Sequence, residues 1–560
     1  MPQEGWAVPE AGPGGGASGA DGPGSPDGTP AAAAGEAPAG VPAAPAAAPR
    51  ADPVAWLIAL ASFGAYTTIS VFRYLRLDPG SWDLGIFTEY VRQVAYGHAP
   101  VVAIRGAGFN LLGDHFQPIV ALIAPFFRLF PTPVTLLVAQ ALLTAVSVVP
   151  VCRAARELLG TWQSRAIGGA YGFSWGLQQM VNFDFHEVAF AVPLLAFSLS
   201  ALVRRRPRGA VLWALPLVFV KEDQGFTVAV IGLVMIAMAV TPPARARRSA
   251  VPEASAPAAP GNPPTAEAGP AAWGWAGALL IVWGLAWSVA AIGVIIPHFN
   301  PTHHYQYWSD GGVVGPGGHV TLPALLHQLA ADGAAKLRTM GMILLPVAFI
   351  ALGSPLALIA LPSLLLRFVS TNSYFWGTGW HYNATVMPIL FLAAIDAMAR
   401  LRARAALRAR RRRSRAAARN LRPGVLVPRY GGLVMLAIAV WLAFRFPLAT
   451  LWNPQTYVMS PHVRAERAAM ALVPGGASVE ATLSMLAPLA VHDDTLWIGN
   501  GNPAPRYIVF DESNSGWSPP PGNPLAFVDG RHPGVSYRQV FLDSDVYVFQ
   551  RAGRDTPTGG

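Results

Sequence analysis

The chain has 560 residues, of which 53% are hydrophobic and only 12% are charged, and its mean hydropathy is +0.38. Soluble proteins carry about 25% charged residues, so this composition excludes an ordinary soluble protein and predicts a polytopic α-helical membrane protein. The net charge of +10 does not indicate nucleic-acid binding, because the positive excess lies in loops between apolar segments. The single cysteine, Cys152, excludes an intramolecular disulfide framework.

Residues 1–50 consist mainly of Gly, Pro and Ala and contain almost no large apolar side chains. Such a segment buries too little surface to offset its ordering entropy, so it is predicted to be a disordered, cytoplasmic N-terminus. It has no basic region followed by an apolar core and a cleavage site, so a cleaved signal peptide is not expected. The first apolar segment, at about 54–73, is predicted to act as an uncleaved signal-anchor.

The predicted transmembrane domain covers residues 51–450 and contains eleven candidate spans. After the first, they lie at about 132–152, 163–181, 188–203, 209–221, 225–241, 273–296, 338–353, 355–369, 383–400 and 431–450. Three of them, 209–221, 338–353 and 355–369, are shorter than the ~20 residues that a straight helix needs to cross a bilayer. The apolar segment 115–130 ends at Pro131 and is predicted to be a membrane-surface or re-entrant helix, because a span there would break the alternation of charged loops.

Four arginine clusters predict the orientation of these spans. They are Arg153/Arg156/Arg165, Arg204–Arg206 with Arg208, Arg245/Arg247/Arg248, and a run from Arg400 to Arg429. With eleven spans and the N-terminus inside, all four clusters fall on the cytoplasmic side of a bacterial plasma membrane. The loops 242–272 and 401–430 are therefore predicted to be cytoplasmic linkers.

Residues 81–118, in the first predicted outer loop at 74–131, are too polar to cross a bilayer. Their pattern predicts a helix from Asp83 to Tyr96 that lies along the membrane surface. Its apolar stripe would consist of Leu84, Phe87, Val91 and Val94. The polar side chains of this loop are Asp83, Glu89, Asp114 and His115. A carboxylate beside such a helix indicates chemistry on a lipid-linked substrate, and the alternative is an amphipathic connector with a solvated face.

The other predicted outer segments also concentrate polar residues. They carry Asp184, His186 and Glu187; Lys221, Glu222 and Asp223; His303 and His304; and Arg367, His381 and Tyr382. Ionisable residues at membrane depth are costly and usually face a cavity or one another. Each group therefore has a functional and a structural interpretation.

These alternatives differ from group to group. Asp184 and Glu187 would share a helix face at i, i+3, which suits a metal or an acid–base pair, but a short loop also needs polar residues. The cluster 221–223 either belongs to a site or pairs within itself at a helix end. Arg367 either binds a lipid phosphate or extends its charge to the membrane interface. The histidines at 303–304 either ligate a metal or belong to a solvated loop.

The last part of the chain, 451–560, differs in its sequence pattern from the predicted transmembrane domain. Five segments predict short strands: ASVEATL, TLWIGN, RYIVFDE, SYRQVFL and DVYVFQR. The Pro/Gly-rich stretch 513–524 predicts a loop. This pattern indicates a small α/β domain on the extracytoplasmic face. It contains no recognisable catalytic motif, and Asp511 and Glu512, at a strand end, are interpreted as turn and capping residues.

Several motifs resemble an uncharacterised bacterial family of predicted membrane proteins, known only as a domain of unknown function. They are WDLGIFTEYV…GDHFQPIVALIAPFF, FDFHEVAFAVPLLAFSL, KEDQGFTVAV and WHYNATVMPILFLAAI, and the resemblance is expected to cover about 54–450 and much of the tail. That family is in turn similar to the GT-C glycosyltransferases. The similarity implies many spans, an essential acid in the first outer loop and polyprenyl-phosphate sugar donors. Asp83 matches the position of that acid, although Leu84-Gly85 follows it instead of a second acid.

The hypothesis that follows is an inverting glycosyl transfer from a lipid-linked sugar donor to a cell-envelope glycan or protein. Asp83 is the predicted base, with Glu89 or Asp114 as substitutes. Lys221 and Arg367 are assigned to the lipid phosphate. The remaining polar residues, Asp184, His186 and Glu187, would shape the acceptor site or hold Mg²⁺ or Mn²⁺. The aromatic residues proposed to stack on sugars are Trp82, Tyr305, Trp376 and Trp380. The alternatives are a transporter or flippase of a lipid-linked substrate and a non-catalytic envelope scaffold.

Overall fold

The computed structural model of the protein describes residues 52–78, 82–240, 269–309, 321–411, 423–513 and 522–553. Within these ranges the chain is mainly helical, with one small sheet near its end. The predicted disordered segment 1–50, most of the linker 242–272 and part of the loop 401–430 lie outside the described residues, as does most of the predicted loop 513–524.

The described residues form eighteen α-helices before residue 451. They are α1 (Pro53–Leu75), α2 (Trp82–Ala95), α3 (Ala124–Leu129), α4 (Pro133–Val146), α5 (Val148–Leu159), α6 (Thr161–Gly172), α7 (Trp175–Phe183), α8 (Val188–Val203), α9 (Pro207–Ala214), α10 (Gln224–Val240), α11 (Pro270–Ala290), α12 (Ile296–Phe299), α13 (Gln306–Ser309), α14 (Leu322–Ala330), α15 (Gly333–Leu344), α16 (Leu361–Val369), α17 (Val386–Arg411) and α18 (Pro423–Ala443). Many begin with proline, whose missing N–H is not needed in the first turn. Asp52 caps α1 by accepting a hydrogen bond from the Val54 N–H at 3.2 Å.

Four helical stretches among the described residues are long and apolar enough to cross a membrane: Pro53–Leu75, Pro133–Leu159, Pro270–Phe299 and Val425–Ala443. Five shorter apolar helices accompany them: Pro118–Leu129, Val188–Val203, Pro207–Phe219, Gln224–Val240 and Pro355–Val369. The prediction of a polytopic helical membrane protein is confirmed, and the count of eleven spans stays a prediction. All three short predicted spans contain 3₁₀ segments, which are Leu215–Phe219, Leu345–Val347, Ile350–Gly353 and Pro355–Ala360. A 3₁₀-helix rises about 2.0 Å per residue against 1.5 Å for an α-helix, so these segments reach further than their length suggests.

Helices α10 and α11 pack backbone to backbone through glycines. A Cβ atom added at Gly225 would lie 2.2 Å from the Gly284 carbonyl oxygen, and one added at Gly232 would lie 2.4 Å from that of Gly277. The order of these contacts is reversed along the second helix, so the pair is antiparallel. Small residues at such a contact allow two membrane helices to approach closely. The contact fixes the start of α10, which carries part of the candidate site.

Three of the arginine-bearing segments meet at one end of the helices. Arg156 Nη1 lies 3.1 Å from Asp52 Oδ2 at the start of α1, and Arg204 Nε donates to Glu157 Oε2 at 2.6 Å. Arg402 Nη1 donates to the carbonyl oxygen at the end of α5 at 3.1 Å. The positive-inside rule favours this end as the cytoplasmic one. The predicted cluster at 245–248 lies outside the described residues.

The sheet has five strands in the order β2-β1-β3-β5-β4. They are β1 (Ser478–Ala481), β2 (Asp494–Trp497), β3 (Tyr507–Asp511), β4 (Tyr537–Asp543) and β5 (Val546–Arg551), with α19 (Pro461–Met470), α20 (Leu483–Leu489) and α21 (Pro524–Arg531) around them. β1 pairs in parallel with β2 and β3, and β5 pairs antiparallel with β3 and β4. The five predicted strands and the small α/β domain are confirmed.

The sheet domain packs directly on the first outer loop. A Cβ atom added at Gly85 of α2 would lie 3.1 Å from Leu486 Cβ of α20 and 3.0 Å from Ile104 Cδ1. Three residues of the predicted apolar stripe of α2 are buried in protein: Leu84, Phe87 and Val91. Its stripe therefore packs on protein, where the periodicity alone suggested a lipid surface, because α3 and α20 cover the helix.

Further contacts join the two regions. The rings of Trp82 and Trp497 meet edge to face with centroids 4.7 Å apart. The Asn500 side chain donates to the Ile104 carbonyl oxygen at 2.9 Å. Arg467 donates to the carbonyl oxygen at the end of α1 at 2.7 Å. The sheet domain and the first outer loop consequently lie at the same end of the helices.

Candidate functional site

A cavity of about 390 Å³ lies between α2 and the helix ends beside it. Its size is that of a small-molecule pocket. Eleven of the thirteen site residues proposed from the sequence line it: Asp83, Asp114, His115, His186, Glu187, Lys221, Glu222, Asp223, Arg367, His381 and Tyr382. The structure therefore gathers polar groups from distant parts of the chain into one cavity, and Glu89 and Asp184 do not line it.

The polar residues of this cavity lie where apolar segments end. Asp83 is in the first turn of α2, and Glu187 immediately precedes α8. Lys221 lies in the break before α10, and Arg367 is in the last turn of α16. Helix ends leave backbone polar groups unpaired and keep charged side chains out of the apolar packing. Their convergence results from the packing of these ends around α2.

Asp83, His186 and His381 form a compact group in the cavity wall. One oxygen or nitrogen atom from each lies within 4.8 Å of the others. The two imidazole rings stack with centroids 3.4 Å apart and planes inclined by 23°. His381 Nδ1 is buried and has no hydrogen-bond partner in the described part of the chain. The group is suited to proton transfer or to metal binding.

Burial and neighbouring charges set the protonation of this group. Burial raises the pKa of Asp83, against the opposing effect of His186. Burial likewise lowers the pKa of His381 well below its usual range, so its imidazole is neutral at neutral pH. Burial alone would raise the pKa of Glu187, but His186 and Lys221 hold it well below its usual value. Glu187 is therefore a carboxylate, with its Oε2 2.6 Å from His186 Nδ1.

The cluster at 221–223 is not paired within itself. Lys221 Nζ lies 3.1 Å from Glu187 Oε1. Glu222 accepts hydrogen bonds from the Phe116 N–H at 3.1 Å and the Tyr305 hydroxyl at 2.9 Å, and its Oε1 lies 2.7 Å from His115 Nδ1. The cluster thus ties three separate segments together, which excludes the self-paired interpretation.

Asp114 completes the wall next to Glu222. Its Oδ1 accepts hydrogen bonds from Arg105 at 2.9 Å and from the Tyr307 hydroxyl at 3.0 Å. The Tyr307 ring stacks on His115 with centroids 4.4 Å apart. Tyr307 was missed by sequence reasoning, although the aromatic run QYW in an outer segment was an available signal.

The side chain of Arg367, in the last turn of α16, is buried against the loop that follows this helix. Its guanidinium donates to the carbonyl oxygens of Phe375 at 2.9 Å, Tyr382 at 3.2 Å and Gly377 at 3.3 Å, and to Asn383 Oδ1 at 3.1 Å. No carboxylate lies within ion-pair distance of it among the described residues. Arg367 therefore folds into the protein, organises this loop and brings an unbalanced positive charge to the cavity wall.

Glu89 lies away from the cavity, between α2 and the sheet domain. It is 1% exposed, accepts a hydrogen bond from the Ile104 N–H at 3.3 Å, and lies 3.5 Å from Arg92. Arg92 also lies 3.7 Å from Asp494 of β2. Burial raises the pKa of Glu89 to about 7. Glu89 does not line the cavity, in contrast to Asp83 and Asp114.

Asp184 lies in a second, smaller cavity with Arg73 and Ser484. Helix α7 ends at Phe183 and α8 begins at Val188, and the Asp184 backbone is extended (φ −167°, ψ −160°). The helical i, i+3 face predicted for Asp184 and Glu187 is therefore absent, and the predicted metal set of Asp184, His186 and Glu187 does not gather around one point.

Two of the four proposed sugar-stacking aromatics, Trp82 and Tyr305, line the cavity, whereas Trp376 and Trp380 do not. The Trp376 indole donates to the Ser370 carbonyl oxygen at 2.8 Å and therefore has a structural contact. The residues at 303–304 are exposed, as the solvated-loop alternative expects.

The one group of cavity residues with metal-ligand spacing in the described part of the chain differs from the ligand set that Mg²⁺ prefers. The group with metal-ligand spacing, Asp83, His186 and His381, offers two imidazoles and one carboxylate. Mg²⁺ and Mn²⁺ prefer oxygen ligands, and imidazole-rich sets suit zinc and the later transition metals.

The solved structures that resemble the chain include the following two. The structure of ArnT from Cupriavidus metallidurans bound to undecaprenyl phosphate shares 13% identity with a TM-score of 0.44, covering 88% of this chain and 97% of that one. The apo oligosaccharyltransferase of Archaeoglobus fulgidus shares 11% identity with a TM-score of 0.32, covering 79% of this chain and 64% of that one. No curated protein matches the chain.

A family model described as a predicted membrane protein, DUF2079, matches residues 73–502. The match covers well over half of the chain, contains every residue of the cavity and extends past β2 of the sheet domain. It confirms the family resemblance inferred from the sequence motifs. The chain belongs to the DUF2079 family of predicted membrane proteins.

Proposed function

We propose that this protein is a membrane glycosyltransferase that moves a sugar from a polyprenyl-phosphate donor to a cell-envelope acceptor. One observation carries the proposal: a single cavity joins the half-buried carboxyl group of Asp83 to the cations Lys221 and Arg367. An inverting transfer needs a base for the acceptor hydroxyl and positive charge beside the departing phosphate. The similarity of this family to the GT-C glycosyltransferases supports the same class of donor.

Asp83 is the proposed general base. The acceptor oxygen forms a bond to the anomeric carbon while the bond from that carbon to the phosphate oxygen breaks. The hydroxyl proton passes to the Asp83 carboxylate, and the lipid phosphate leaves with the electron pair of the broken bond. Because burial raises the pKa of Asp83, its carboxylate is a stronger base than an exposed aspartate, but it must be ionised before it reacts.

The phosphate of the donor is proposed to bind beside Arg367. Its guanidinium contacts neutral oxygen acceptors and has no carboxylate at ion-pair distance in the described ranges. A buried cation of this kind is stabilised by an incoming anion. Lys221 is held by Glu187 at 3.1 Å and contributes a positioned charge on the same wall.

The cavity end of the molecule is proposed to face the outside of the cell. This end includes the sheet domain, whose Arg467 contacts the last residue of α1. Arg156 pairs with Asp52 at the opposite end of α1. Arginine-rich ends favour the cytoplasmic side. The sheet domain would then be extracytoplasmic and would cover the loop that carries Asp83.

The test uses the full chain in lipid nanodiscs with a panel of radiolabelled polyprenyl-phosphate sugars and cell-envelope acceptors. We expect release of lipid phosphate with transfer of the label, and its loss in Asp83→Asn. Asp332→Asn is the matched control, because Asp332 is an exposed carboxylate in a left-handed position that asparagine tolerates. An Asp83→Asn protein that retains full activity would remove the assignment of the base.

A transporter would give a different result in the same preparation. Movement of a fluorescent polyprenyl-phosphate sugar across a proteoliposome membrane, with no transfer of its sugar to any acceptor, would replace the enzyme proposal with the transporter alternative. Tight binding without movement or transfer would favour a scaffold.

A further inference from the structure

The sheet domain contains a second group of metal-ligand side chains, far from the cavity residues in sequence. His462 and Glu466 lie four residues apart on α19, and Asp511 is the last residue of β3. Residues at i and i+4 project from the same face of a helix, here toward the end of the strand. One nitrogen or oxygen atom from each of the three lies within 4.8 Å of the others.

Two carboxyl groups of this cluster are buried. Glu466 is 1% exposed and Asp511 is fully buried, whereas the His462 side chain is 30% exposed. Glu466 forms no ion pair with Lys or Arg in the part of the chain that the structure describes. Two buried carboxyl groups this close need a compensating proton or positive charge, and a bound metal ion would supply such a charge.

Neighbouring groups fix the orientation of the three side chains. The Ser484 hydroxyl donates to Glu466 Oε1 at 2.5 Å. Asp511 Oδ1 accepts hydrogen bonds from the Ser513 N–H at 3.0 Å and from its hydroxyl at 2.9 Å. Asp511 Oδ2 lies 3.0 Å from His462 Nε2. Outer-shell hydrogen bonds of this kind are how proteins orient the ligands of a metal ion.

We propose that His462, Glu466 and Asp511 bind one divalent transition-metal ion, and Zn²⁺ is the probe for this site. Zn²⁺ accepts both imidazole nitrogen and carboxylate oxygen as ligands, and three protein ligands would leave a fourth position for water. The ion would join α19 to the end of β3 and so fix the sheet domain that packs on α2. This site is separate from the cavity, so the proposal is independent of the proposed function.

The test measures Zn²⁺ binding by the full chain in detergent, after treatment with EDTA and removal of the chelator. The number of zinc ions per protein chain is measured by elemental mass spectrometry in the wild type, His462→Gln and His492→Gln. His492 is the matched control, because it is an exposed histidine of the same domain. We expect His462→Gln to lose one equivalent of zinc and His492→Gln to lose none. Equal zinc content in the wild type and His462→Gln would overturn the proposal.

A second variant keeps the test informative if His462→Gln fails to fold. Glu466→Gln preserves the shape of the side chain and the contact with Ser484, and it mimics a protonated carboxyl group. We expect zinc to raise the thermal unfolding midpoint of the wild type but not that of Glu466→Gln. If the carboxyl groups share a proton instead, zinc will leave both midpoints unchanged and Glu466→Gln will be at least as stable as the wild type.

The cavity group of Asp83, His186 and His381 is a competing source of bound zinc. His381→Gln removes an imidazole from that group without touching the sheet domain. Its loss of zinc must be additive with that of His462→Gln if the two sites are independent. Zinc that disappears completely in His381→Gln alone would assign all of it to the cavity and overturn the site in the sheet domain.

Discussion

The two faces of α2 carry carboxyl groups with opposite environments. Asp83 and Glu89 lie six residues apart, which places them about 120° apart around the helix. Asp83 lines the cavity with His186, whereas Glu89 lies buried beneath the sheet domain with Arg92. Burial raises the pKa of both groups, but only Asp83 lines the cavity. The difference teaches that a carboxyl group with a shifted pKa indicates a reactive site only where the packing leaves space for a ligand beside it.

The largest expected effect comes from exchanging the two carboxyl groups for amides one at a time. Asp83→Asn should lower the transfer rate by about 10²–10⁴-fold, because it removes the base, while Glu89→Gln should leave the rate within a few fold. The measurement is the initial rate of sugar transfer in nanodiscs, with size-exclusion elution as the control for folding. A larger loss in Glu89→Gln than in Asp83→Asn would reverse the assignment of the two faces.

A bulky residue at Gly85 should separate the sheet domain from α2. Gly85→Leu would crowd Leu486 and the Ala487 backbone nitrogen, which a Cβ atom alone approaches to 3.4 Å. We expect a destabilisation of about 3 kcal/mol, at the upper end for overpacking, and faster hydrogen exchange in α20. Gly64→Leu is the control, since nothing lies within 4 Å of a Cβ atom at Gly64. Unchanged exchange in α20 would show that this contact does not hold the domain.

The carboxyl group of Glu89 should make stability depend on pH. Its pKa is raised from 4.5 to about 7 in the folded protein, so its stabilising contribution is complete below the unfolded pKa and is lost as pH rises through the folded one. The wild type should therefore lose about 2 kcal/mol relative to Glu89→Gln between about pH 5.5 and about pH 7.5. Thermal unfolding in detergent at several pH values measures the difference, and parallel curves for the two proteins would contradict it.

The smallest expected effect comes from the aromatic contact between Trp82 of α2 and Trp497 of the sheet domain. Trp497 of β2 supports Trp82, which lines the cavity. Trp497→Leu should remove about 1 kcal/mol of packing energy that holds Trp82 in place. We expect this loss to raise KM about fivefold with little change in kcat. Trp452→Leu is the control, because Trp452 is 75% exposed. A fall in kcat with KM unchanged would point to a role in the chemical step instead.

Local patterns in the sequence determined much of this protein. The apolar segments predict a membrane protein, and the alternation of the last part of the chain predicts all five strands, because helix and strand periodicity reports local burial. The helix at the start of the first outer loop was predicted as Asp83–Tyr96 and is observed as Trp82–Ala95. Eleven of the proposed site residues line one cavity, because charged side chains concentrate where apolar segments end.

Only the tertiary structure decided which of these residues meet. Glu89 and Asp184 look as reactive in the sequence as Asp83, yet packing against the sheet domain and an extended backbone before α8 place them elsewhere. The pairs of Lys221 with Glu187 and of Glu222 with His115 join distant segments, and so does the approach of Asp511 to His462. No local period encodes such contacts, because they depend on how whole helices and strands pack against one another.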